Sequence, residues 1–134
     1  MLGFRRKRGL PLPPDPLDRL ETLGRFEFDV HSSGIDSTVA WEDCISPFRP
    51  ASVADPEGFL GALRELVADD PGGFATYGAY RVSGELLGFE NRSPNALALL
   101  DAAIAFKRAR GLPSARLTGY EWARWCEVHG PGSW

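Results

Sequence analysis

The sequence predicts an α+β domain, a small antiparallel sheet covered by four or five helices. Residues 25–30 alternate, with Phe26, Phe28 and Val30 on one side and Glu27 and Asp29 on the other, the period of a half-buried strand. Residues 31–36 are rich in turn formers, and Thr38, Val39, Trp41 and Cys44 after them read as a second strand over 37–44, closing a hairpin. Downstream segments open on helix-capping residues and repeat their apolar positions at helical spacing. A lone hairpin is barely stable in water, so these helices must cover it.

The elements follow in order. Arg5, Arg6, Lys7 and Arg8 repel one another, and Leu10-Pro-Leu-Pro-Pro14 favours an extended spacer, so residues 1–14 read as a disordered basic, proline-rich tail and 15–134 as one domain. Asp15-Pro16 starts a short helix that ends at Leu23-Gly24. Residues 45–54, with Pro47 and Pro50, read as a loop. Asp55-Pro56 opens a helix over 56–69, with Phe59, Leu60, Leu63, Leu66 and Val67 on its apolar face, and Pro71-Gly-Gly73 follows its end. Residues 74–87 fit both the helical and the strand period, and helix is the preferred assignment. Ser93-Pro94 opens a helix over 94–110, where Lys107, Arg108 and Arg110 complement the dipole of the last turn. Thr118-Gly-Tyr-Glu121 matches a capping box for a final helix over 119–129.

At 134 residues and 43% hydrophobic content, the chain can build one core without disulfides. Its net charge is −3, and setting aside the four basic residues at 5–8 leaves −7 on residues 10–134. An acidic body argues against a nucleic-acid partner, because phosphate binding needs a cationic face, and it favours a basic protein partner. Two cysteines do not make a disulfide framework. No stretch approaches the roughly 20 apolar residues of a membrane span. Prolines fall where a signal peptide needs its apolar run, so a cytoplasmic location is expected.

Several constellations of residues bear on chemistry. Cys126 and His129 are three apart on one helical face and could form half of a zinc site, with Cys44 and His31 as the other half. The spacing lacks a finger signature, and inert packing is the commoner fate of such a thiol. Residues 31–37 hold histidine, serine and aspartate, but neighbours in sequence seldom converge as a triad. The glycines make no phosphate-binding loop. Neither a cofactor nor a metal is therefore expected. Glu42-Asp43 and Asp69-Asp70, with Glu27 and Asp29, offer an acidic face for docking or simply a solvated surface. Tyr120, Trp122, Trp125 and Trp134 concentrate aromatic side chains near the C-terminus, where they either pack the last helix or serve as binding anchors.

Residues 112–125 (Leu-Pro-Ser-Ala-Arg-Leu-Thr-Gly-Tyr-Glu-Trp-Ala-Arg-Trp) and 12–20 (Leu-Pro-Pro-Asp-Pro-Leu-Asp-Arg-Leu) resemble segments of small bacterial toxin-immunity domains, including the SMI1/KNR4-like group. The resemblance covers about a quarter of the chain. It implies an acidic α+β domain that binds and blocks a toxin.

The expected function is thus a non-catalytic protein-binding module, an immunity-type inhibitor among the options, with Trp41, Glu42, Asp43, Tyr120, Trp122, Trp125 and Trp134 as binding residues. The alternatives are a small hydrolase using His31 or His129, and a membrane-surface accessory protein whose Arg5, Arg6, Lys7 and Arg8 touch anionic lipid.

Overall fold

The computed structural model describes the backbone of residues 9–33 and 38–134, and the side chains of all of these but 31–33 and 38–41. It is 72% helical, and among the described residues there is no strand. The expected α+β architecture is therefore corrected to an all-helical one. Among the described residues seven α-helices follow one another: α1 (Pro16–Ser33), α2 (Thr38–Ile45), α3 (Arg49–Ala54), α4 (Pro56–Leu66), α5 (Phe74–Leu87), α6 (Pro94–Ala109) and α7 (Gly119–His129).

Both strands of the expected hairpin are helical, and the cause lies in α1. Its buried positions are Leu20, Leu23, Gly24 and Glu27, a helical stripe that contains a glycine and a carboxylate. Gly24 does not stop the helix; it lets α1 cross α5 backbone to backbone. A Cβ on Gly24 would lie 1.8 Å from the Phe74 carbonyl oxygen, and one on Gly78 would lie 1.9 Å from that of Leu20. Glu27 stays buried because Arg81 of α5 meets it at 2.8 Å. With Gly24 and Glu27 on the inner face, the alternation of Phe26, Phe28 and Val30 loses its meaning as a strand. Phe28 instead sets its edge against Phe74 and Phe106, each 5.8 Å between centroids. The β-branched Thr38 and Val39 lie in α2, which packs on α1 and buries Ile45; tertiary contact overrides their local preference.

The expected loop at 45–54 is also mostly helical. Pro47 starts a single 3-10 turn (Ser46–Phe48) and Pro50 lies in the first turn of α3, positions where a missing N–H costs nothing. The caps at the starts of α4, α6 and α7 form as their residues predict. Asp55 accepts from the Gly58 N–H (3.0 Å), and Ser93 from that of Ala96 (3.3 Å). At α7 both arms of the Thr118–Glu121 capping box are present. Residues 74–87 are helix α5, the central element of the core, where Tyr77 stacks on Phe106 at 4.6 Å. Leu10 and Leu12 pack against the same core.

Candidate functional site

The α6–α7 end of the molecule holds the chemistry, built in two storeys. The lower is a buried polar cluster. The Lys107 ammonium and the Glu121 carboxylate meet at 2.8 Å with only 3% and 1% of their side chains exposed. The Arg116 carbonyl also accepts from Lys107 (3.3 Å), and Glu121 accepts from the Thr118 N–H (2.8 Å). A carboxylate that caps its own helix thus tethers α7 to α6. In the sequence Lys107 reads only as a cation complementing the dipole of the last turn of α6, and Glu121 only as a capping residue. The capping box was the available signal, since it turns the Glu121 carboxylate back toward the helix start. The phenols of Tyr77 and Tyr80 border this cluster. Burial pushes both well above the usual tyrosine range, and the nearby Glu121 charge adds to the effect at each.

The upper storey is an open groove of about 620 Å³ between α6 and α7. Ile104, Ala105 and Ala109 of α6 and Trp125 and Val128 of α7 line it, with Asp101, Arg108, Arg124 and His129 among them. Val128 is 53% exposed. Arg124 spans the groove to Asp101 with two contacts, at 3.2 and 3.4 Å, and lies 3.6 Å from Glu127. Arg108 sits 4.8 Å from the centre of the Trp125 ring and donates to the Ser133 carbonyl at 3.4 Å. The His129 ring packs on Trp125 with centroids 3.8 Å apart.

The residues after α7 brace this wall. Trp125 Nε1 donates to Ser133 Oγ (3.1 Å), Ser133 Oγ donates to the Gly130 carbonyl (2.7 Å), and Trp134 Nε1 donates to the Leu112 carbonyl (3.0 Å). Trp134 sets its edge on Trp125 at 5.0 Å. Trp125 is therefore fixed, with its indole N–H satisfied, and it is buried, backing the groove with only 4% of its surface exposed.

The expected binding residues divide accordingly. Trp125 lines the groove and Trp134 supports it. Trp122 is partly buried against the core, and Tyr120 stacks on Phe89 at 6.1 Å. Glu42 and Asp43 are exposed on α2, and only Asp43 borders a cleft, the smaller one of about 230 Å³ formed with Asp18, Arg19, Thr22 and Cys44. Trp41 lies on α2, and its side chain is outside the described residues, as is that of His31. Arg5, Arg6, Lys7 and Arg8 are outside them entirely.

The chemical alternatives meet specific geometry. Burial, with Asp43 adding, pushes the Cys44 thiol up, which disfavours the thiolate a nucleophile or metal ligand needs. Among the described residues no group of three or more His, Cys, Asp and Glu is placed to hold a metal ion. His129 shares the groove with Asp101, but that carboxylate is engaged by Arg124 rather than by the imidazole. No described helix is long and apolar enough to cross a membrane. Models of known protein families, curated proteins and solved structures give no match to this chain.

Fold and site together define a class: an all-helical globule with an open, tryptophan-walled groove and a buried ion pair holding the groove's two helices together.

Proposed function

We propose that this chain is a non-catalytic protein-binding module and that the α6–α7 groove is its binding surface. The observation that carries the reading is the half-exposed Val128 with the exposed Ala105 and Ala109 in a concavity flanked by arginines and backed by the buried, immobilised Trp125. Arginine is enriched at protein interfaces, the exposed aliphatic side chains beside it offer apolar contact, and a backing tryptophan that is already fixed loses no rotamer freedom on contact. An immunity-type inhibitor is one member of this class.

A displayed peptide library panned on the folded protein tests it. Peptides enriched on the wild type are expected to lose binding to Ala105→Trp, whose indole fills the groove from an exposed position. Enrichment of nothing, or of peptides that bind both proteins equally, removes the groove from consideration.

A further inference from the structure

The groove's own chemistry specifies what enters it. The body of the protein is acidic, with −7 on residues 10–134, yet the groove is lined by two arginines and one aspartate. The two arginines are not equivalent. Arg124 is neutralised by Asp101 and Glu127. Among the described residues Arg108 has no carboxylate partner; it rests over the Trp125 ring and touches a neutral carbonyl. It is a positioned cation whose charge is unmatched, at the edge of an apolar floor, in a molecule of opposite overall sign. Charge complementarity there favours an anionic group on the incoming chain.

Shape narrows the class further. The α6 lining runs from Asp101 to Ala109, about 12 Å along the helix axis, which is two helical turns. Ala105 and Ala109 are four apart, small and exposed, so a docked helix can approach α6 closely, while the half-exposed Val128 offers a contact to its apolar ridge and Ile104 and Trp125 are buried.

We propose, building on the groove being a protein-binding surface, that its occupant is an acidic amphipathic helix of a partner protein, which seats aliphatic side chains against the exposed Ala105, Ala109 and Val128 and places a carboxylate on Arg108. The recognised charge is thus the reverse of the one suggested by the whole-chain balance. A basic partner fits the exposed Glu42 and Asp43, but not this groove.

Two synthetic helical peptides test the proposal, identical in their leucine stripe and flanked by glutamate in one and lysine in the other. Binding to the full chain is measured by fluorescence anisotropy at low and high salt. The glutamate peptide is expected to bind about tenfold more tightly at low salt, with the gap narrowing as salt screens the pair. Arg108→Glu is expected to invert the order, and Ala105→Trp to abolish both. Equal affinities that Ala105→Trp still abolishes overturn the acidic preference while leaving the groove as the binding surface. A lysine peptide that binds more tightly overturns it as well. Failure of both peptides to bind the wild type overturns the acidic helix and the groove together.

Discussion

The α1–α5 and α6–α7 interfaces solve the same problem, joining two helices, in opposite ways. At α1–α5, Gly24 and Gly78 remove the side chains, the backbones touch, and a charged contact, Glu27–Arg81, closes the seam. At α6–α7 the helices meet through long side chains, Lys107 and Glu121 below and Trp125 above, and the space between them stays open as a groove. Close backbone approach leaves no concavity. Separation by an ion pair and an indole leaves one open to solvent. Stability is expected to concentrate in the buried contacts of both seams, and binding in the open face of the second.

The largest expected effect strikes the α6–α7 pair. Lys107→Met leaves the Glu121 carboxylate buried without its cation, and urea denaturation is expected to show a loss of about 3–5 kcal/mol. Pairing it with Glu121→Leu removes both charges and is expected to restore most of that. If the single variant costs no more than a surface substitution, the two helices are not held by this pair.

Gly78→Ala tests the other seam. Its Cβ would collide with the Leu20 carbonyl group at 1.9 and 2.8 Å, and neither helix backbone can yield locally. A loss of about 3 kcal/mol is expected from such overpacking. A neutral result would mean that the helices are farther apart than described.

Alkaline titration sharpens the comparison next, because Tyr77 and Tyr80 belong to α5 but border the α6–α7 cluster. Both phenols have folded-state pKa values raised above the unfolded value of about 10. Their contribution to stability is fully present below pH 10. Above it the unfolded chain releases protons that the native state retains, so stability falls by roughly 1.4 kcal/mol per pH unit for each phenol. Phenolate absorbance is expected to appear together with unfolding. Titration of all three tyrosines near pH 10 in a still-folded protein contradicts the burial.

The smallest effect on stability is expected on the groove wall. Val128→Ser alters a half-exposed side chain and should change stability by no more than about 0.5 kcal/mol. It should nevertheless weaken peptide binding clearly. A large stability loss would place Val128 in the core.

The sequence shows these features unevenly. Helices α4, α6 and α7 are legible because each opens on its own capping residue and carries its own apolar period. Of helix α1 only the start at Pro16 is legible; its continuation past Gly24 is not, because Gly24 and Glu27 are explained only by Gly78 and Arg81, more than fifty residues away. A glycine that ends a helix and one that lets two helices touch look the same in one dimension. A glutamate on an alternating run reads as solvent-facing until its buried arginine is known. At the site, the cluster of aromatics identified Trp125 and Trp134, but the groove depends on how α7 packs against α6. Arg108 and Lys107 stand side by side at one helix end, where they read alike, and burial gives them unrelated roles.

The most direct test of the binding module maps contact on the protein itself. Backbone amide shifts are recorded while a peptide selected on the wild type is titrated in. Changes are expected to cluster at residues 101–109 and 124–129 and to vanish in Ala105→Trp. Changes centred instead on α1 and α2, around Asp18, Glu42 and Asp43, would contradict the account and assign recognition to the acidic face.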